Sequence, residues 1–266
     1  MIEVCSTVTG TLPLLISVPH DGCHVPEEMR ARMTDAGLAL PDTDWHVAEL
    51  YDFARDLGAS IQVANHSRYV VDLNRSAADD VLYAGQLVTG LCPEETFSGD
   101  AIYKTGGVGE EERARRVRTF WDPYHEQVTA TLAALREQHG YALLWDAHSI
   151  PSAVPRLFDG ELPELNIGSN DGASCARDIA AAVIVAAAAS PYSSVVDARF
   201  KGGYITRHYG DPDSGVHALQ LEIAQRSYMN EATRAFDPGN ADRLRSTLRG
   251  MLEAFLSAAS SGAATL

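Results

Sequence analysis

The sequence predicts an α/β fold built around a largely parallel or mixed β-sheet. Short apolar runs that favour strands alternate along the chain with longer stretches whose apolar residues recur at helical spacing. With 266 residues, 45% of them hydrophobic, the chain can bury one large core. It contains no internal repeat and no linker-like segment, so we expect a single domain over residues 1–266.

The N-terminal part of the chain is predicted to contain one strand and one helix. Residues 12–18, LPLLISV, form an apolar run that ends at Pro19 and favours a buried strand. Residues 45–57 place their apolar side chains on one face of a helix. Asp44 occupies the N-cap position of that helix, and Gly58 follows its last residue.

Two extended segments and a long loop are predicted next. We expect residues 61–65 and 69–74 to be extended, since both contain short β-favouring runs. Residues 76–109 are rich in Gly, Pro, Asp and Thr and predict a loop. A loop of this length inside a compact domain is more often functional than idle, and we expect it to cover a site for small substrates.

The second half of the chain is predicted to alternate helices and strands. Residues 110–139 begin with three glutamates, which suit the positive end of a helix dipole, and they stop at Gly140. Pro123 is expected to break this stretch into two helices. The remaining predicted segments are a strand at 141–147, an irregular stretch at 150–172, an alanine-rich helix at 173–189, strands near 194–199 and at 217–224, and a helix at 240–257.

The charge of the chain disfavours two classes of partner. Its formal net charge is −15, whereas a nucleic-acid backbone or an anionic membrane surface attracts a basic face. A small anionic substrate stays compatible with this charge, because a few arginines in a cleft can set the local field. We therefore predict a small-molecule partner, with no nucleic acid and no membrane.

Cysteine usage and hydropathy predict a soluble cytoplasmic protein. The four cysteines are scattered without a CxxC pair and are expected to be reduced thiols. The first residues lack the features of a signal peptide, and the longest apolar run, residues 179–189, is too short to cross a bilayer. The sequence leaves open whether the chain forms a homo-oligomer.

Two histidines at the ends of predicted strands are candidate metal ligands. His20 and His148 each follow an apolar run, where a polar ring needs either hydrogen-bond partners or a metal. Two histidines and one carboxylate are a usual ligand set for catalytic zinc. Asp44 is the favoured carboxylate, and His24 is the alternative third ligand. The competing interpretation makes each histidine a hydrogen-bonded structural residue.

A glutamate within the late apolar segment is the candidate general base. Glu222 lies between leucine and isoleucine residues, where a carboxylate is costly unless it is paired or takes part in the chemistry. It either forms an ion pair with Arg226 or accepts a proton from an attacking water molecule. Asp146, two residues before His148, is expected to accept a hydrogen bond from a histidine ring.

Three arginines with apolar or aromatic neighbours are candidate substrate ligands. Arg75 ends the motif DLNR, Arg207 lies in GGYITRHYG, and Arg226 follows the candidate base by four residues. Planar guanidinium groups bind carboxylates with two hydrogen bonds, which suits an anionic substrate. Asn74 and His208, their neighbours in sequence, are predicted to contact the substrate as well.

Motifs of other enzyme classes are missing from the sequence. It contains no GxSxG nucleophile elbow and no GxxxxGK[ST] phosphate loop. Cys23 and His24 are adjacent in sequence, and adjacent residues rarely present both groups to one substrate. The sequence therefore favours a metal-dependent hydrolase.

The motifs taken together resemble the N-formylglutamate amidohydrolase family over nearly the whole chain. The matching stretches include LLISVPHDG, TDWHVAELYDFARDLGAS, RYVVDLNR, LLWDAHSI, RFKGGYITRHYG and GVHALQLEIAQRSYM. The resemblance implies a three-layer, zinc-exopeptidase-like (phosphorylase/hydrolase-like) fold. It also implies hydrolysis of N-formyl-L-glutamate to L-glutamate and formate in histidine degradation.

The resemblance also implies roles for four residues. His20 matches the histidine of the PHxG motif, His148 that of DAHS, and Asp44 lies in the TDW motif. These three would bind a divalent metal, most naturally Zn²⁺. Glu222 corresponds in character to the late-strand catalytic base of zinc amidases that are distantly similar. A zinc amidase for another N-acyl amino acid or a peptidoglycan fragment is the alternative function.

Two departures from the family pattern concern substrate binding. Members often have an arginine shortly after the DAHS motif, where this chain has Pro151. They also usually carry Asn-Gly where this chain has Asp197 and Ala198. If the missing arginine holds a substrate carboxylate, substrate preference changes here. A non-catalytic sensor of glutamate-like ligands is disfavoured, because every candidate metal residue is retained.

Overall fold

A seven-stranded mixed sheet forms the centre of the molecule. The computed structural model describes residues 2–79 and 89–263. The strands of this sheet are β1 (Cys5–Val8), β2 (Leu14–Val18), β3 (Ser60–Ala64), β4 (Ala142–Ile150), β5 (Leu165–Gly168), β6 (Ser194–Val196) and β7 (Val216–Ala224). Their order is β1-β3-β2-β4-β7-β5-β6. Strands β3, β2, β4 and β7 are parallel neighbours, whereas β1 pairs antiparallel with β3 and β5 antiparallel with β7.

Helices and a small hairpin complete the described structure. The hairpin pairs β8 (Met229–Asn230) with β9 (Ala235–Phe236). The helices are α1 (Glu27–Arg30), α2 (Asp35–Leu38), α3 (Val47–Leu50), α4 (Ala54–Leu57), α5 (Glu110–Arg116), α6 (Asp122–His139), α7 (Arg177–Ala188), α8 (Tyr204–Tyr209) and α9 (Pro238–Ala263). Across the described ranges, no helix is both long and apolar enough to span a bilayer.

Both faces of the central sheet are buried, and the strand sequences reflect this. In β4, Leu143 and Trp145 join one apolar cluster with α7 and α9, while Leu144 joins a second cluster with α6. All nine residues of β4 and all nine of β7 are buried. A strand covered on both faces has a nearly continuous apolar sequence, and this pattern made the α/β class predictable. The mostly parallel sheet confirms the predicted class.

The predicted helix at residues 45–57 is wrong as a single element. The structure has two short helices there, α3 and α4, separated by a turn. His46 precedes α3 with φ 64°, a left-handed conformation that stops a helix from starting at residue 45. Asp44 is therefore not an N-cap, and its carboxylate is used elsewhere. Gly58 ends α4 with φ 91°, as predicted.

Several other boundaries differ from the predictions. Residues 69–74 form turns instead of an extended segment, while β3 confirms the extended segment at 61–65. Short β1 precedes the strand predicted first, and β5 lies inside the stretch 150–172 predicted to be irregular. Both missed strands have four residues, too few to show a clear alternation.

The long predicted loop is confirmed where the structure describes it, whereas the predicted break at Pro123 is a π-helical turn within a stretch that stays helical from residue 110 to residue 139. Residues 76–79 and 89–109 contain neither a helix nor a named strand, and the rest of that loop lies outside the described residues. Pro123 lies in the first turn of α6, directly after a π-helical turn at Val117–Trp121 that separates α6 from α5. Gly140 ends α6 with φ 83°.

Candidate active site

The candidate site lies at the carboxyl ends of β2, β4 and β7. His20 comes two residues after β2, while His148 and Glu222 face each other in register on β4 and β7. Parallel neighbours end at the same edge of a sheet, so this topology brings the three side chains together. His148 was predicted to follow its strand, but β4 continues through Ile150 and holds the histidine within the sheet.

His20, Asp44 and His148 form a buried cluster that could hold a metal ion. One ligand atom from each residue lies within 4.8 Å of the others. The Asp44 Oδ2 atom is 3.0 Å from His148 Nδ1 and 3.7 Å from His20 Nδ1. Within the described part of the chain, His20 Nδ1 has no hydrogen-bond partner although it is buried. An unpartnered buried ring nitrogen beside a carboxylate is what a metal site requires.

The second ring nitrogen of each histidine faces a buried carboxylate. His20 Nε2 lies 2.8 Å from Asp72 Oδ1, and His148 Nε2 lies 3.1 Å from Asp146 Oδ1. The side-chain amide of Asn74 is also 2.8 Å from His148 Nε2. Such carboxylate–histidine pairs orient the rings of metal-binding histidines. Asp146 lies beside the ring as predicted, but within the described residues its Oδ1 atom forms no hydrogen bond, and Asp72 was missed.

Asp44 reaches the cluster through a tight local structure. Its backbone N–H donates to the carbonyl of His20 at 3.1 Å, and its Oδ2 atom accepts a hydrogen bond from the Ser149 N–H at 3.1 Å. Burial raises the pKa of Asp44, but the hydrogen bond from His148 and the charges of the nearby His20 and His148 outweigh burial and hold the pKa below its usual value. The carboxylate is therefore ionised, as a cation ligand must be.

Arg68 is a buried arginine of the site that the sequence analysis missed. Its Nη2 atom donates to Asp72 Oδ2 at 2.6 Å, and its Nη1 atom lies 3.6 Å from Asp44 Oδ1. Burial lowers the pKa of Arg68, but the charges of the two carboxylates raise it by more than burial lowers it. The guanidinium therefore stays charged. The sequence signal that could have revealed Arg68 is its four-residue spacing from Asp72. An extended segment would hold these two side chains apart, whereas a turn brings them together.

Glu222 lines the same cavity as the cluster and is 8% exposed. Burial is the largest cause that raises its pKa to about 8, while the charge of His148 lowers the pKa and that of Asp44 raises it. The predicted alternative, an ion pair with Arg226, is wrong. Arg226 instead donates to the carbonyl of Leu162 at 2.7 Å and lies near Glu161.

The predicted substrate ligands separate into two groups. Asn74 and Arg75 line the cavity, and Arg75 is held at the entrance of the long loop by hydrogen bonds to Thr89. Arg207, His208 and Arg226 do not line it. The described residues that line the cavity are His20, Asp44, Arg68, Asn74, Arg75, Thr89, Phe97, His148, Ser149, Ile150, Leu157, Arg199, Phe200, Gly203, Gln220 and Glu222.

Helix α8 serves the site through its first turn. Arg207, further along α8, donates from Nε to the carbonyl of Gly202 at 2.7 Å, and His208 stacks on Tyr204. The N–H of Ile205 instead donates to Asn74 Oδ1 at 2.8 Å, which orients the amide that contacts His148. The contact of Arg207 and His208 with the substrate stays a prediction, since neither is among the described residues that line the cavity.

His24, the alternative third ligand, lies outside the buried cluster. Its ring contacts that of His66, with 4.9 Å between the ring centroids, and the segment carrying it forms a bridge to the segment of His66. Among the described residues, the group that could hold a metal contains Asp44 in the third position.

The fold and the cluster define a class of protein. It is a mixed α/β protein whose parallel strands end at a buried group of two histidines and one aspartate that could bind a metal. A family model described as N-formylglutamate amidohydrolase matches residues 12–229. The chain belongs to the N-formylglutamate amidohydrolase family.

Two bacterial relatives cover most of the chain. A Pseudomonas aeruginosa protein named N-formylglutamate deformylase is 50% identical over 259 residues, which is 96% of this chain and 97% of the relative. A Pseudomonas putida protein of the same name is 52% identical over 233 residues, 87% of each chain. The resemblance inferred from the motifs is thereby confirmed.

Solved structures show the same fold. The crystal structure of an N-formylglutamate amidohydrolase from Ralstonia eutropha JMP134 aligns with a TM-score of 0.82, covering 95% of this chain and 98% of the other, at 22% identity. A structure from Agrobacterium tumefaciens aligns with a TM-score of 0.71 at 18% identity, covering 94% and 95% of the two chains. These two likenesses concern the fold alone.

Proposed function

We propose that this protein hydrolyses N-formyl-L-glutamate to L-glutamate and formate with the help of a bound divalent metal. The two relatives at about half identity carry the name N-formylglutamate deformylase over nearly the whole chain. The observation that carries the proposal is the buried cluster of His20, Asp44 and His148. Among the described residues His20 Nδ1 lacks a hydrogen-bond partner, while the Nε2 atom of each histidine faces a carboxylate.

The donor set fits zinc, which we propose as the metal. Two imidazole nitrogens and one carboxylate oxygen leave a fourth position for water or substrate, as catalytic zinc sites do. A bound zinc ion would act as a Lewis acid and lower the pKa of water to about 7. The same donor set and the strand-end position support a zinc-exopeptidase-like fold, which is the finer form of the proposed architecture.

Glu222 would handle the protons of the reaction. Its carboxylate lines the cavity beside His148, where it can take a proton from the water that attacks the formyl carbon. It then delivers this proton to the amide nitrogen as the carbon–nitrogen bond breaks, which yields formate and the free amine of glutamate. Arg68 keeps Asp44 and Asp72 ionised throughout, because it stays charged between them.

The carboxylates of the substrate require cationic ligands within the cavity. Asn74 and Arg75 line it and stay in the proposal as substrate ligands. Arg207, His208 and Arg226 are not among the described lining residues, so the proposal gives them no contact with the substrate. We further propose that the chain is a single domain acting in the cytoplasm, in histidine degradation.

A formate-release assay tests the function directly. The purified protein should release formate from N-formyl-L-glutamate, lose this activity with a chelator, and recover it when zinc is added back. Glu222→Gln should abolish turnover while the bound zinc, measured by elemental analysis, remains. Near-normal turnover of Glu222→Gln would contradict the assigned base. Faster hydrolysis of another N-acyl amino acid than of N-formylglutamate would contradict the substrate.

A further inference from the structure

Arginines line the cavity beside the metal cluster. The arginines among its described lining residues are Arg68, Arg75 and Arg199. Arg68 contacts Asp72 and Asp44 and is neutralised by them. Arg75 and Arg199 bring two further guanidinium groups to the cavity wall, and Arg199 has no role in the function proposed above.

Arg199 is held at the cavity wall by two apolar residues that also line the cavity. Its Nε atom donates to the carbonyl of Leu157 at 3.0 Å. Its guanidinium carbon lies 5.3 Å from the centroid of the Phe200 ring. Because both partners line the cavity themselves, the guanidinium lies where hydrocarbon surface and positive charge meet.

A braced turn presents Arg199 from the segment after β6. Asp197 has φ 47°, a left-handed conformation that aspartate tolerates better than most residues. Its carboxylate accepts a hydrogen bond from the N–H of Ser169 at 2.7 Å and another from the Ser169 hydroxyl. Asp197 and Ala198, which stand where the family pattern has Asn-Gly, thus still form a tight turn. Asp197 lies two residues before Arg199.

We propose that Arg199 binds the side-chain carboxylate of the substrate and sets the preference for an acidic side chain. This inference rests on the proposed function. Asn74, which precedes Arg75, contacts His148 in the metal cluster, so Arg75 suits the carboxylate on the carbon next to the scissile amide. The side-chain carboxylate lies two methylenes further away. Those methylenes match the apolar surface of Leu157 and Phe200, beside which Arg199 is held.

A pair of substrates isolates this contact. N-formylnorvaline has a methyl group where N-formylglutamate has its side-chain carboxylate, and both retain the other carboxylate. Arg199→Met removes the charge but keeps an unbranched side chain. We expect kcat/KM for N-formylglutamate to fall by on the order of 100-fold, the loss typical of a hydrogen bond to a charged group. The kcat/KM for N-formylnorvaline should change by less than about threefold.

Matched variants separate charge recognition from a structural role. Arg75→Met should weaken hydrolysis of both substrates, because both carry the carboxylate assigned to Arg75. Arg243→Met, at an exposed position on α9, should change neither. Arg199→Lys should recover part of the preference for N-formylglutamate, since it restores the positive charge. Thermal unfolding of each variant reports its folding independently.

Three results would overturn the assignment of Arg199. They are an equal fall for both substrates in Arg199→Met, unchanged hydrolysis of N-formylglutamate, and a selective loss for N-formylglutamate in Arg75→Met instead. Failure of the proposed function gives a different result. In that case the unmodified protein, loaded with zinc, releases no formate from N-formylglutamate at all.

Discussion

Replacement of Asp72 by asparagine should weaken both the metal site and the fold. The Asp72 carboxylate accepts hydrogen bonds from the backbone of Asn74 at 2.9 Å and from Arg68 at 2.6 Å, and it lies 2.8 Å from His20 Nε2. Asparagine keeps the shape of the side chain but places an NH₂ group against one of these donors. It also removes the negative charge that balances Arg68.

The size of both effects follows from the contacts that are lost. Loss of the carboxylate that orients a metal-binding histidine typically costs 10- to 100-fold, roughly, in metal affinity. Among the described residues, the ion-pair partner that Arg68 would keep is Asp44, whose Oδ1 atom is 3.6 Å away. Breaking a buried ion pair from one side costs about 3–5 kcal/mol of the free energy of unfolding, because the remaining charge stays buried.

Two measurements check Asp72→Asn. Competition with a chromogenic chelator reports zinc affinity, and urea unfolding of the metal-free protein reports stability. Asp242→Asn is the matched control, since it breaks an exposed ion pair with Arg245 and should cost less than about 1 kcal/mol. A folded Asp72→Asn protein with unchanged zinc affinity would refute the orienting role of Asp72.

Three further perturbations test the site and the core. In Gly203→Ala, the new Cβ would lie 2.2 Å from Asn74 Nδ2, so the side-chain amide of Asn74 must move. We expect kcat/KM to fall at least about tenfold. Unchanged kinetics would contradict the close approach of Gly203 to Asn74. Trp145→Ala should lower the free energy of unfolding in urea by about 3–5 kcal/mol, because this fully buried ring also donates to a tyrosine hydroxyl; a loss below about 1 kcal/mol would contradict tight packing. Burial lowers the pKa of His125 to about 3, so the unfolded chain binds a proton first as the pH falls from about 6.5. As the pH falls from about 6.5 to about 3, the free energy of unfolding should therefore drop by on the order of 4 kcal/mol more than it does in His125→Gln. Parallel curves of unfolding free energy against pH for the two proteins would contradict a buried neutral ring.

The predicted parts of the fold were those that local patterns determine. Strand β7 and helix α6 were found because their apolar residues recur over many positions, and Gly140 marks the end of α6. The stretch 69–74 was mispredicted because its β-favouring residues are held in turns. Arg116, from α5, donates to the carbonyls of Tyr69 and Val70 in this stretch, a long-range contact that no local pattern contains.

The candidate site was predicted only in part, because some of its residues have a local sequence signal and others do not. His20, His148 and Glu222 stand out in the sequence because polar residues beside apolar strands need an explanation. Arg68 and Arg199 do not stand out, since arginines in loop-like segments are usually exposed. Their places in the cavity depend on which distant segments the fold brings together.

By itself, the sequence determined the α/β class and the polar residues at strand ends, because burial on both faces of a sheet and a buried polar side chain both leave local signatures. Only the tertiary structure decided that Asp44 joins the two histidines, that Asp72 and Asp146 face their outer nitrogens, and that Arg207 stays outside the cavity. The physical reason is that hydrogen bonds and ion pairs depend on distances between atoms far apart in sequence. The chain order does not state those distances, and the packing of helices on the sheet sets them.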